Sequence, residues 1–215
     1  MLDSLDAVLE EQIKDLYSAE NQLAKALPKM AIAASTETLK AAFKSHLAET
    51  KVQIERLQKI AEILEIKPGG KKCKGMEGLL EEGKEAMEEN GEEVFVDAAI
   101  IAAAQRVEHY EISGYGTARA IAEAVGNTKV VQLLQMTLDE EVAADEKLTQ
   151  ISTSEILNAG SQSGGRNSQR SEKNGQRSDK TGSRSDKRDQ HGDKEKSASG
   201  SRSRGSSRAS STSPR

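Results

Sequence analysis

The sequence predicts an all-α fold: four long helices in a bundle, with one long crossover between helices two and three. Three observations predict it. Apolar residues recur at helical spacing through four long segments. The foldable region is rich in Ala, Leu, Glu, Lys and Gln, and the chain has no Trp, 3 Tyr and 2 Phe, a balance that favours helices over strands. Short turn signals separate segments one and two, and three and four, while residues 66–91 separate the two pairs.

The first helix is expected over about residues 3–33. Leu5, Leu9, Leu16, Leu23 and Leu27 form its stripe, and Asp3 or Ser4 can cap it. Pro28 lies inside the pattern and is expected to kink or loosen the last turns. Ser35 and Thr36 offer caps for a second helix over about 36–65, which Pro68-Gly69-Gly70 ends. The connection contains GMEGLLEEGKEAMEEN, which fits a short helix with Met76, Leu79 and Leu80 inward. A third long helix covers about 92–125 and stops at Gly126. Asn127 or Thr128 caps the fourth, about 128–156. Short turns make each pair an antiparallel hairpin, and a bundle with one long crossover is the ferritin-like arrangement.

The foldable domain is residues 1–157. From Asn158 onward there is no Leu, Ile, Val, Met or aromatic residue. Such a segment cannot bury enough apolar area to offset its ordering entropy, so 158–215 is expected to be a disordered tail. The chain's net charge of −4 hides a division. The tail has 14 Lys and Arg against 6 Asp and Glu, leaving 17 against 29 in residues 1–157. An acidic domain is joined to a basic tail. QRSEKNG, QRSDKTG and SRSDKRD form a degenerate seven-residue repeat without apolar positions, so the tail is low complexity and not a coiled coil. Its charge permits weak, salt-sensitive contact with nucleic acid or other anions, but it has no aromatic residue to stack on bases.

Cys73 is the only cysteine, which fits a reducing, cytoplasmic setting, and it is read as an incidental loop thiol. The acidic start MLDSLDAVLE does not resemble a signal peptide, and no apolar run is long enough for a membrane span.

The two hairpins echo each other at an offset of 91. Leu16 falls on Val107, Glu20 on Glu111, Leu47 on Leu138, Glu49 on Glu140, Leu57 on Leu148 and Ile60 on Ile151. Counted from the turns near 34 and 126, the four glutamates lie about 21–23 Å from the hairpin ends, at one level of the bundle. Glu20 and Glu111 sit near the middle of their stripes. Glu49 and Glu140 lie nearer the edge, and Glu141 is more central than Glu140, so helix four leaves its inward glutamate open. Four carboxylates at one level would repel unless cations neutralised them, and two divalent metals supply the matching charge. Di-iron and di-manganese bundles use Glu-x-x-His on two helices, but here Val52 and Ala143 stand in the histidine positions. His46 and Glu108, one turn before Glu49 and Glu111, are the expected replacements. The candidate ligands are therefore Glu20, His46, Glu49, Glu108, Glu111 and Glu140, an oxygen-rich set suited to two Fe or Mn ions. His109 is read as surface, Tyr17, Tyr110 and Tyr115 as packing residues, and Glu81, Glu82, Glu85, Glu88 and Glu89 as a solvated face.

DLYSAENQL, HLAETKVQIERL, KKCKGMEGLL, QRVEHYEISGYGTA and TLDEEVAADEKL, in that order, resemble the YciE/YciF-type ferritin-like family of bacterial proteins over about residues 3–156. The resemblance implies a rubrerythrin-like four-helix bundle, a tendency to dimerise, an association with stress responses and a metal site. The leading expectation is a cytoplasmic, stress-protective di-metal protein that oxidises Fe(II) or removes peroxide. The alternative is a non-catalytic, dimeric helical interaction module whose basic tail binds anionic partners.

Overall fold

The computed structural model describes residues 2–162. The disorder, repeat and anion contacts expected of the tail fall almost wholly on residues 163–215, outside the described residues. Four long helices carry the fold: α1 (Leu5–Ala33), α2 (Glu37–Ile63), α4 (Glu93–Ala124) and α5 (Thr128–Ile151). A shorter α3 (Lys74–Glu88) lies in the crossover. The last described turns pass through a π-helical stretch, Ser152–Ile156, and stay helical to residue 162. That is five residues beyond the last large apolar side chain, Leu157.

The two hairpins, α1–α2 and α4–α5, pack side by side, with α1 against α4 and α2 against α5. The crossover helix α3 rests on α4 and α1. Met76 buries fully, while Leu79 and Leu80 are half-buried. Ser4 Oγ accepts the Ala7 amide at 3.1 Å and caps α1. Asn127 Oδ1 accepts the Val130 amide at 3.3 Å and caps α5, after Gly126 turns the chain at φ +79°. The start of α2 differs from expectation. Neither Ser35 nor Thr36 supplies a side-chain cap; the buried Asp97 of α4 accepts the Ser35 and Thr36 amides at 2.8 and 3.0 Å. A carboxylate from the opposite hairpin thus does the capping and pins the two together. Pro28 does not end α1, which stays helical to Ala33.

The core is divided into two apolar clusters. One gathers Leu23, Leu27, Leu39, Phe43, Ile100, Ile101 and Leu148 near the α1–α2 turn. The other gathers Leu9, Ile13, Leu57, Ile60, Val130 and Leu134 near the opposite end. Each large aliphatic buried here contributes about 1.5–3 kcal/mol. Between the clusters lies a layer of buried polar side chains: Glu20, His46, Thr50, Gln53, Glu108, Glu111, Thr137 and Glu141. Alongside it α1 and α4 approach closely. A Cβ on Gly114 would stand 2.8 Å from Leu16 Cδ2, so the absent side chain is what permits the approach. Among the described residues, no helix is long and apolar enough to cross a membrane.

Cys73 is a correction to the loop reading. It is fully buried and is the N-cap of α3, accepting the Met76 amide on Sγ at 3.4 Å. Its Sγ also lies 3.1 Å from Asp15 Oδ2 and 2.9 Å from Tyr110 Oη, and the Tyr110 hydroxyl donates to Asp15 Oδ2 at 2.5 Å. Burial pushes the thiol's pKa up, which opposes formation of the thiolate.

Candidate metal centre

Every main helix contributes to the polar layer because each interrupts its apolar stripe at the same height. On α1, Glu20 follows Leu16 by one turn and precedes Leu23. On α4, Glu108 and Glu111 lie between Val107 and Tyr115. On α5, Glu141 lies a turn after Thr137 and two turns before Leu148. On α2, His46 follows Phe43 and is followed by Thr50, Gln53 and Arg56 on one face.

Glu20, Glu111 and Glu141 are fully buried, Glu108 is 3% exposed and His46 is 6% exposed. His46, Glu108, Glu111 and Glu141 each offer one ligand atom, and these four atoms lie within 4.8 Å of one another. His46 Nε2 is 3.4 Å from Glu108 Oε1 and 3.8 Å from Glu141 Oε2, while its Nδ1 faces Glu49 Oε2 at 3.5 Å. Glu20 is held by the Tyr115 hydroxyl, which donates to Oε1 at 2.5 Å.

Most of these atoms lack a protein partner. Glu20 Oε2, His46 Nε2, Glu108 Oε2 and both carboxylate oxygens of Glu111 and Glu141 are buried without a hydrogen bond. A buried, unsatisfied polar atom costs about 1–3 kcal/mol. The cost appears as proton affinity. Burial pushes Glu20 up to about 8, with the Glu141 charge adding to it. Burial likewise pushes Glu108 up to about 8. Glu111 and Glu141 are raised well above the ordinary carboxylate range, again chiefly by burial. Burial opposes charge on His46, but the hydrogen bond to Glu49 and the charges of Glu141 and Glu20 outweigh it and leave its pKa raised. These are carboxyls that need either protons or cations.

Beside the cluster stands an ion pair. Arg56 is buried; its Nη1 donates to Glu140 Oε2 at 2.8 Å and to Thr137 Oγ1 at 2.5 Å, and its Nη2 donates to Glu140 Oε1 at 2.9 Å. Gln53 Nε2 adds a third donor to Glu140 at 3.1 Å. Glu140 is thereby fully engaged and turned from the cluster.

Comparison with known proteins places the chain. A family profile described as "Domain of unknown function (DUF892)" matches residues 4–160. The chain belongs to the DUF892 family. This DUF892 protein is 45% identical over 156 residues to Protein YciF of Escherichia coli (strain K12), covering 72% of this chain and 94% of that one. Its fold matches the crystal structure of the E. coli stress protein YciF at a TM-score of 0.69 and 46% identity, over 71% of this chain and 96% of that one. A ferritin-like, diiron-carboxylate protein from Bacillus anthracis matches at a TM-score of 0.55 and 16% identity, over 70% and 99% of the two chains. That likeness shows the fold alone, and the fold is the ferritin-like bundle expected from the helix order.

Of the six residues singled out by sequence, His46, Glu108 and Glu111 come together in this DUF892 chain, and Glu20 is buried close enough for its charge to act on Glu108 and Glu111. Glu49 stays at the edge, its side chain 46% exposed and its oxygen toward His46 Nδ1. Helix α5 turns Glu141 inward and leaves Glu140 to Arg56. Arg56, Gln53 and Tyr115 were not anticipated as partners of the layer. A signal for the first two was present: Thr50, Gln53 and Arg56 continue the inward face of His46 up to Leu57. His109 lies at the surface, as expected.

Proposed function

We propose that Glu20, His46, Glu108, Glu111 and Glu141 hold divalent metal and that the protein works in stress protection as a metal-centred, ferritin-like protein. The observation that carries this reading is the convergence of buried, partnerless carboxylate oxygens and one imidazole nitrogen on a single level of the bundle. Two divalent ions would offset four carboxylates. Oxygen donors with one imidazole suit iron(II) or manganese better than a structural zinc. Bound iron or manganese would supply the redox chemistry needed for Fe(II) oxidation or peroxide removal.

The chain's own part is to hold and shield. Tyr115 fixes Glu20 by donating to Oε1 and leaves Oε2 directed at the layer. Glu49 faces His46 Nδ1, which orients the ring so that Nε2 faces Glu108 and Glu141. The two apolar clusters exclude water from above and below. The stress assignment is supported by the likeness to the E. coli stress protein YciF. A cytoplasmic homodimer belongs to the same proposal, supported by the lone cysteine and the family resemblance.

The test is metal analysis of the full-length protein after anaerobic Fe(II) or Mn(II) loading and desalting. One to two retained ions per chain, lost in Glu111→Ala/Glu141→Ala, is the expected result. Equal metal in both proteins would overturn the assignment.

A further inference from the structure

A cleft between α2 and α5 leads from the surface to the buried cluster. Its volume is about 330 Å³, many times the ~30 Å³ that one water occupies in the liquid. His46 and Glu108 form its floor, and each presents a buried atom without a partner, Nε2 and Oε2. Its walls are Ala42 and Phe43 of α2 and Ala144 and Leu148 of α5. The exposed Glu49 and Lys147 also line it.

Size and chemistry together narrow the occupant. The cleft is far larger than a metal ion or a hydrogen peroxide molecule, and its apolar walls favour exchanging their water for an organic body. The exposed charges of Glu49 and Lys147 are opposite in sign and Glu140 is held by Arg56, so the lining offers no unpaired cation to offset the cost of burying an anionic head. A hydroxyl-type head can donate to Glu108 Oε2, which no protein donor reaches, beside the His46 Nε2 assigned to the metal.

Building on the metal-centre reading above, we propose that the cleft binds a small neutral organic molecule. Its aliphatic or aromatic body lies against Ala42, Phe43, Ala144 and Leu148, and its single hydroxyl or hydroperoxyl head faces His46 and Glu108. The cleft then admits an organic substrate to the centre by apolar contact.

The probes are 1-octanol and octanoate, titrated into the full-length protein while alanine methyl resonances are followed by NMR. Saturable octanol binding with shifts at Ala42 and Ala144 is expected, with octanoate at least tenfold weaker. Ala144→Phe places a ring in the cleft and should weaken octanol at least tenfold while leaving metal content at the wild-type value. Should that variant fail to fold, Ala143→Phe on the same wall reads the same loss. In the Mn(II)-loaded protein, the octanol protons beside the hydroxyl should relax faster than the terminal methyl. No saturable octanol binding, binding that survives the cleft-filling variants, or a methyl that relaxes faster than the head would each overturn the proposal. Octanol binding intact in a protein that retains no metal would overturn the metal centre and leave the cleft standing.

Discussion

The hairpins α1–α2 and α4–α5 share a frame but not a set of donors. At the 91-residue offset Glu20 matches Glu111, and both are fully buried. Thr50 matches Glu141, and both are again fully buried. Position is thus conserved between the halves while chemistry is not. The first hairpin brings one carboxylate and the His46 imidazole to the layer. The second brings three carboxylates, because Glu108 stands where α1 has Tyr17 and Glu141 where α2 has Thr50. The cations divide the other way: Arg56 is buried and paired, whereas Lys147, at the matching position, is exposed. Register decides which positions face inward, and an inward position can then hold a packing residue, a ligand or a counter-charge. The centre is lopsided, with most of its negative charge on one hairpin.

The strongest way to break the comparison is to strip the rich hairpin. Glu111→Ala/Glu141→Ala removes two direct ligands and should weaken Mn(II) or Fe(II) binding by more than the ~100-fold that losing an outer partner can cost, read by competition with a chelator. Glu20→Ala, which removes the single carboxylate of the poorer hairpin, should cost less by the same assay. Equal losses from the two hairpins would remove the asymmetry.

The cations give the next effect. Arg56→Ala leaves Glu140 with Gln53 as its donor and Thr137 Oγ1 with none, and should lower stability by about 1–2 kcal/mol because Glu140 is partly exposed, measured by denaturant unfolding. Lys147→Ala should stay within about 0.5 kcal/mol. A neutral result for Arg56→Ala would mean that the buried ion pair is not holding the hairpins together.

Protons should sharpen the same contrast. In the metal-free protein Glu20 and Glu108 hold their protons up to about pH 8, whereas unfolded glutamates release theirs near 4.5. Between those values the folded chain binds more protons than the unfolded one, so stability falls as pH rises. The metal-free melting temperature should therefore drop by several degrees from pH 5 to pH 8. Metal binding needs deprotonated carboxylates, so the stabilisation from metal should grow over the same range. Replacing Glu111, the residue with both oxygens unpartnered, by Gln should flatten the metal-free slope. The smallest effect is expected away from the layer: Gly116→Ala meets no atom within 4 Å and should add about 0.5–1 kcal/mol through helix propensity.

The fold was legible because it rests on local signals. Four apolar stripes, two short turns and one long connection are enough to order the helices. The height of the site was legible too, since counting residues from a turn measures distance along a helix. Direction around the helix was harder. Glu140 and Glu141 differ by about 100°, and the stripe on α5 is broad enough to admit either. What settled the choice was Arg56, whose two nitrogens claim Glu140. A lone arginine at the edge of an apolar face reads as a solvated charge unless its partner on another helix is known. Cys73 and Asp97 fail for the same reason. One sits in a lysine- and glycine-rich connection and the other in a helix start, but their partners lie 37 to 62 residues away. Contacts of that span leave no periodic trace in the chain.

The central claim is that the buried cluster is a metal centre, and anomalous diffraction tests it most directly. Crystals of the full-length protein grown after Fe(II) or Mn(II) loading should show an anomalous peak at the metal's absorption edge. The peak should lie within about 2.5 Å of oxygens from Glu108, Glu111 and Glu141 and of His46 Nε2. Ordered density for all four side chains with no anomalous peak among them, at full metal loading, would contradict it.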